Sequence, residues 1–157
     1  MNIKEYIKEQ RLITDGAMGT YYEEKYSEDT VIAEKENLKN PEQIKEIHLE
    51  YLRAGARLIR TNTFAANTMF LADMQEVKET VRAGYEIAKE AVTAFQAENG
   101  KEIPVFIGAD LGPIYDLDHQ DYDNVLQEYK EICDTFLSCG ADCFVSVSYT
   151  HLTLPTT

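Results

Sequence analysis

The chain has 157 residues, 44% of them apolar, enough for one domain with a real core and short for two. Its 15 basic and 28 acidic residues give a net charge of −13 with no basic cluster, which argues against nucleic-acid and anionic-membrane partners. No apolar run approaches the roughly 18 residues of a membrane span, and MNIKEYIKEQ has no signal-peptide core, so a cytoplasmic protein with no membrane partner is expected.

In chain order, Ile3, Tyr6 and Ile7 at helical spacing predict a short amphipathic helix over residues 2–10, lying across the bottom of the later strands and helices. Leu12 and Ile13 read as a short buried strand. It breaks at once into a glycine-bracketed turn, Asp15-Gly16-Ala17-Met18-Gly19-Thr20, whose amides can approach an anion such as a carboxylate. Residues 21–40 are acidic and tyrosine-rich without a period and read as a long top-side loop. Asn40 is expected to cap the next helix, with Pro41 in its first position and Ile44, Ile47, His48, Tyr51 and Leu52 as its apolar stripe; Gly55 ends it.

Arg57 to Ile59 begin a second strand that runs into Thr61-Asn62-Thr63-Phe64. A long helix from about Met74 to Glu98 buries Val77, Val81, Gly84, Tyr85, Ala88, Val92 and Phe95 and stops at Asn99-Gly100. Ile103 to Ala109 form a third strand, apolar on both faces as in a parallel sheet covered by helices, and Asp110-Leu111-Gly112-Pro113 form its turn. A helix over Tyr122 to Ser138 turns Val125, Leu126, Tyr129, Ile132, Cys133 and Phe136 inward, Gly140 closes it, and Asp142 to Val145 begin a fourth strand. The junctions at Ala54-Gly55-Ala56 and Cys139-Gly140-Ala141 echo one another two units apart. Strands alternating with covering helices describe an α/β fold, a β/α series with its site at the C-terminal ends of the strands.

The series breaks after Val145. Residues 147–156, VSYTHLTLPT, look like one reading frame of a transposase-type sequencing-library adapter, so 146–157 are expected to be a non-native tail in which His151 carries no function.

With these motifs in order, the chain resembles the homocysteine S-methyltransferase family over residues 11 to about 145. Asp15 to Thr20 is similar to that family's first-strand loop. Asn37-Leu38, Pro41, Ile44, Ile47-His48, Tyr51 and Ala54-Gly55-Ala56 are similar to its NLxxPxxIxxIHxxYxxAGA stretch, and Thr61-Asn62-Thr63-Phe64 with Asn67 to its TNTFxAN segment. Gly112-Pro113 fits the loop after its third strand. The resemblance implies a (β/α)₈ TIM barrel of about 250 residues, of which residues 1–145 hold the first four units. It implies methyl transfer to the thiol of homocysteine, making methionine. Asp15, Ala17, Met18, Gly19, Asn62 and Thr63 would bind the substrate, the first-loop amides holding its carboxylate and Asp15 an ammonium or water. Asn62 and Thr63 could instead cap the following helix and meet no ligand.

The resemblance further implies a zinc ion held by three cysteines of later strands, since free thiols ionise only at about pH 8.5. Those ligands are not in this chain. Cys133, Cys139 and Cys143 read as small buried side chains with reduced thiols, not as zinc ligands or a disulfide framework. The family's amine-binding glutamate would fall near Val147. Cobalamin or folate would enter through downstream domains. The methyl donor stays open among methylfolate, S-methylmethionine and betaine, and Gly112-Pro113-Ile114 leans toward relatives that carry a methylenetetrahydrofolate reductase domain. Four strands cannot close a barrel, so the chain alone is expected to be inactive and to self-associate through open sheet edges. His48 reads as packed core, His119 as solvated in an acidic loop, and Tyr115 as bordering the pocket. Two other readings are a β/α-barrel lyase or aldolase built around Asp15 and Asn62, and a non-catalytic module for small anions.

Overall fold

A computed structural model describes residues 1–26, 32–114 and 122–147. Its elements are α1 (Ile3–Glu9), α2 (Gly19–Tyr26), a 3₁₀ turn (Ala33–Lys35), α3 (Glu36–Lys39), α4 (Pro41–Arg53), β1 (Leu58–Arg60), α5 (Met74–Asn99), β2 (Phe106–Leu111), α6 (Tyr122–Ser138) and β3 (Phe144–Ser146).

The sheet is parallel in the order β1-β2-β3. Leu58 pairs with Phe106 and Arg60 with Gly108, while Ala109 pairs with Phe144 and Leu111 with Ser146. Thr14 adds a parallel bridge to Leu58 on the outer side of β1. All strand C-termini therefore point the same way, as βαβ connections require. Strand side chains alternate. Ile59, Ile107, Ala109 and Leu111 face the helices α4, α5 and α6, while Arg60, Gly108 and Asp110 share the opposite face. Tyr6 of α1 closes the N-terminal end of that face, its ring edge-on to Phe106 at 5.5 Å.

The three long helices form where the apolar period places them. Pro41 starts α4. Asp73 caps α5 by accepting from the Glu76 amide. The two echoed junctions are one geometry: Gly55 and Gly140 take φ of 112° and 92°, and the next amides, Ala56 and Ala141, each reach back five residues, to Tyr51 and Phe136. This is the αL helix ending that glycine permits at no steric cost.

Several expectations need correction. The first strand is one bridge long and Ile13 is 58% exposed, because among the described residues this segment pairs on one side only. Ile7 of α1 is also exposed, leaving Tyr6 as its buried contact. The stretch 21–40 is not one long loop. Its described residues form α2, the 3₁₀ turn and α3, held by a fully buried Tyr22 whose hydroxyl meets Gln43, so its apolar anchor is aromatic and shows no aliphatic period. Asn40 precedes α4 but makes no side-chain cap. Its amide donates instead to Glu36 at 2.6 Å. The third strand begins at Phe106 and runs to Leu111, so Asp110 sits in the strand and not in a turn, and the face it shares with Gly108 is not apolar. Leu126 of α6 is 47% exposed. The second and fourth strands are Leu58–Arg60 and Phe144–Ser146. The Val147 amide continues the ladder, donating to Leu111. The rest of the suspected tail, residues 148–157 with His151, lies outside the described residues, as do Tyr115 and His119.

Candidate functional site

At the C-terminal end of the sheet lies a cavity of about 310 Å³. Asp15, Ala17, Met18, Gly19, Asn62 and Thr63 all line it, so the two separated motifs meet at one place. Arg60, Asp110 and Glu34 complete its polar wall.

The lip is the loop before α2. Its carbonyls are turned toward the scaffold: the Gly16 oxygen accepts from the Arg60 guanidinium at 2.9 Å, and the Ala17 oxygen from the Tyr51 hydroxyl at 2.6 Å. A Cβ on Gly16 would come within 2.9 Å of that hydroxyl, so the pinning depends on a glycine there. Among the described residues the amides of Gly16, Ala17 and Met18 donate to no acceptor. They lead into the N-terminus of α2, whose dipole also favours an anion.

The floor is built differently. The Asn37 amide donates to the Asn62 carbonyl at 2.8 Å and the Thr80 carbonyl at 3.1 Å. In return the Asn62 amide donates to the Asn37 side-chain oxygen and the Ala33 carbonyl, both at 2.8 Å. Asn62 therefore fastens the 3₁₀ turn and α3 to the end of β1, and its N–H groups are taken. The Thr61 and Thr63 hydroxyls are 2.7 Å apart and grip the Asp110 backbone, Thr61 accepting from its N–H at 3.0 Å and Thr63 donating to its C=O at 2.8 Å. Neither Asn62 nor Thr63 caps a helix; Asp73 takes that position for α5. Gly84 lets α5 approach this network, since a Cβ there would lie 2.9 Å from both the Asn37 amide nitrogen and Thr63 Cγ2.

Three carboxyls and one guanidinium set the electrostatics. Both Asp15 oxygens face Arg60, one accepting from Nε and the other from the backbone N–H, each at 2.9 Å. This engages Asp15 within the protein, where the sequence suggested an ammonium or water. Burial still raises the Asp15 carboxyl above its ordinary value, outweighing Arg60. Burial also works against the Arg60 charge, but Asp15 and Asp110 more than restore it. Glu34 is raised by burial, partly offset by the Ala65 amide donating to it at 2.9 Å. Asp110 is pushed up to about 7, by burial first and then by Asp15 and Glu34, against the pull of Arg60. Its Oδ1 is buried without a hydrogen-bond partner.

Arg60, Asp110 and Glu34 were missed by sequence reasoning. The available signals were a charged residue closing the apolar pair Leu58-Ile59 and a lone carboxyl after Ile107-Gly108-Ala109. Carboxyls at neighbouring strand ends, Asp15 and Asp110, line this cavity, though Arg60 already occupies Asp15.

His48 belongs to the core. It is fully buried with both ring nitrogens unpartnered, and burial lowers it to about 4, which keeps it neutral at pH 7. Cys133, Cys139 and Cys143 are free thiols but half-buried rather than buried. Among the described residues no three His, Cys, Asp or Glu side chains gather to hold a metal, so the zinc implied by the resemblance finds no ligand set in them. Nor, among them, is any helix long and apolar enough to cross a membrane.

Residues 12–152 match the family described as homocysteine S-methyltransferase. The homocysteine S-methyltransferase of Escherichia coli (strain K12) is 32% identical over 112 residues, covering 68% of this chain and 36% of its own length. The methionine synthase of Mycobacterium leprae (strain TN) is 27% identical over 155 residues, 90% of this chain and 12% of its own. Among solved structures, the metallated form of the homocysteine methyltransferase MmuM from Escherichia coli superposes with a TM-score of 0.75 at 26% identity, over 89% of this chain and 55% of that one. Its apo form gives 0.69 at 29% identity, over 88% and 49%. The chain thus spans about half or less of the length of these relatives.

Proposed function

The chain belongs to the homocysteine S-methyltransferase family, and from that premise we propose that its cavity holds homocysteine while the thiol accepts a methyl group to give methionine. The observation that carries this reading is the lip: two carbonyls tied to Arg60 and Tyr51, beside a run of amides at the cavity's edge that donate to no acceptor among the described residues. Such a nest receives a carboxylate. Charge-assisted hydrogen bonds to it are short and about twice as strong as neutral ones. Asp15 serves the nest indirectly, because its grip on Arg60 fixes the guanidinium that turns Gly16.

On this reading the Thr14 bridge and β1, β2 and β3 are the first four strands of a (β/α)₈ barrel, and residues 1–145 position the amino acid. Zinc in the full-length protein would activate the thiol through cysteines outside this chain. Residues 146–157 would be the non-native tail. The chain alone would then be inactive and prone to pair through the edges left by the Thr14 segment and β3. The methyl donor, with any cobalamin or folate, would be set by downstream domains.

Titration of this chain with L-homocysteine, followed by amide NMR, tests the lip. Saturable shifts are expected at Gly16, Ala17, Met18 and Gly19, and no such shifts with 3-aminopropanethiol, which lacks the carboxylate. Lip resonances indifferent to L-homocysteine would remove the reading.

A further inference from the structure

Two neighbouring residues of α6 hold the loops that leave the C-terminal ends of β1 and β2. The Glu128 carboxylate accepts twice from Thr68 in the first loop, from its N–H at 2.6 Å and from its hydroxyl at 2.8 Å. The Tyr129 hydroxyl donates to the Gly112 carbonyl of the second loop at 3.0 Å and accepts from the Ile114 N–H at 2.8 Å. The two loops are packed together: the gap lined by Phe64, Asn67, Gly112 and Ile114 measures about 10 Å³, room for one water at most. The first loop carries Phe64, Ala65 and Phe70 to the wall of the cavity. Phe64 is 39% exposed and Phe70 45%, so burial in the core does not fix them. Their place is set by the backbone that bears them. Around Thr68 that backbone is one closed turn, in which buried Asn67 accepts from the N–H groups of Met69, Phe70 and Leu71. Those bonds stay within the turn, whereas Glu128 ties it to another helix.

We propose that Glu128 is a positioning residue of the substrate cavity, holding the wall formed by residues 64–70 in place for binding without touching the ligand. The inference rests on the reading of the cavity as the homocysteine site. Hydrogen bonds to a carboxylate are charge-assisted, and one carboxylate that takes both donors of a residue fixes its direction as well as its distance. Among the described residues none of α6 lines the cavity, so Glu128 acts on it through Thr68. Thr68 is exposed and Glu128 half-buried, and substitutions at such positions usually leave global stability nearly unchanged. What the clamp constrains is local. A wall already held in place spares the bound amino acid the cost of ordering it.

The test measures L-homocysteine binding to the 157-residue chain and to its Glu128→Ala, Glu128→Gln and Thr68→Val variants, with the thermal midpoint and amide NMR spectrum of each. Glu128→Ala is expected to weaken binding about fivefold, the scale of ordering one side chain on association. It should also shift the Ala65 and Phe70 amides before any ligand is added. Glu128→Gln keeps one acceptor oxygen and should recover part of the loss. Thr68→Val should cost less by itself and add nothing to Glu128→Ala, because the partner of its hydroxyl is already gone. A residue that only stabilises the fold would lower the midpoint and leave the affinity of the folded chain as it was; that result overturns the proposal. Equal affinity in Glu128→Ala and wild type, with the lip amides still shifting, overturns it too and leaves the lip reading standing. Wild-type lip amides that ignore L-homocysteine overturn both. Glu128→Gln and Thr68→Val decide the matter if Glu128→Ala does not fold.

Discussion

The floor and the lip of the cavity use the hydrogen-bonding capacity of their residues in opposite ways. On the floor, Asn37, Asn62, Thr61 and Thr63 are buried and bonded to one another, to Ala33, to Thr80 and to the Asp110 backbone. At the lip, Gly16, Ala17 and Gly19 are exposed, two carbonyls are tied back, and the amides are left open. A rigid floor holds Asp110 and Arg60 in position; a lip with open donors is where a ligand can make bonds that the fold has not already made. The difference separates residues that build a binding site from those that touch what is bound.

The floor should break most severely at its tightest contact. A Cβ on Gly112 would overlap the backbone carbonyl of Phe64, a clash no rotamer can relieve. Gly112→Ala is expected to cost about 3 kcal/mol, read as a lowered thermal midpoint, because the 61–64 segment must shift away from β2. An unchanged midpoint would mean that the floor is softer than its bonding indicates.

Asn37→Ala tests the network directly. It strips the donor from the Asn62 and Thr80 carbonyls and the acceptor from the Asn62 amide, all buried. The expected loss is about 2 kcal/mol in denaturant unfolding. Paired with Asn62→Ala it should be strongly non-additive, since each change removes the other's partner. Additive losses would show that the two amides act separately.

These residues also show what the sequence could and could not tell. Helices α4, α5 and α6 were legible because their apolar periods and glycine or proline ends are local signals. The opening strand was misjudged because burial of Leu12 and Ile13 depends on neighbours no local pattern reports. Asn62 and Thr63 line the cavity, but their work there, tying a turn and gripping β2, involves Ala33, Asn37 and Asp110 from distant parts of the chain. Arg60, Glu34 and Asp110 carried no motif at all. Their meaning arises only when three strand ends and the 3₁₀ turn converge.

Arg60 joins the two regions, since it ends β1 and holds both Asp15 and the Gly16 carbonyl. Removing one partner of a buried pair costs about 3–5 kcal/mol; with the Arg60 side chain 27% exposed, about 2 kcal/mol is expected for Arg60→Met at pH 8. The sign with pH comes from the carboxyls. Arg60 lowers both Asp15 and Asp110, whose folded values already lie above 3.8. A carboxyl raised in the folded state lends stability that is complete below its unfolded value and lost as pH rises through the folded one. Without Arg60 both rise further, so the variant should fall behind wild type as pH rises through the raised wild-type value of Asp15 and then through that of Asp110, about 7. A deficit independent of pH would mean that Arg60 acts by packing alone.

The smallest effect should come from Tyr51→Phe, and it sharpens the comparison most cleanly because it touches the lip alone. Among the described residues the hydroxyl makes one bond, to the Ala17 carbonyl at 2.6 Å, and its ring packs edge-on to Tyr21 at 5.9 Å. Phenylalanine keeps the ring and loses the bond, so global stability should drop by under about 1 kcal/mol. The Ala17 carbonyl, no longer held against the scaffold, can rotate, and the amides beside it lose their fixed direction. Hydrogen exchange should therefore quicken at Tyr22, whose N–H donates to the neighbouring Met18 carbonyl at 2.8 Å, and stay unchanged at Thr61 and Thr63. Carboxylate binding should weaken even though the altered atom lies behind the loop, because a nest binds through the alignment of its donors. If exchange quickens equally on the floor, lip and floor form one cooperative unit, and the division between a scaffold and a receptor does not hold.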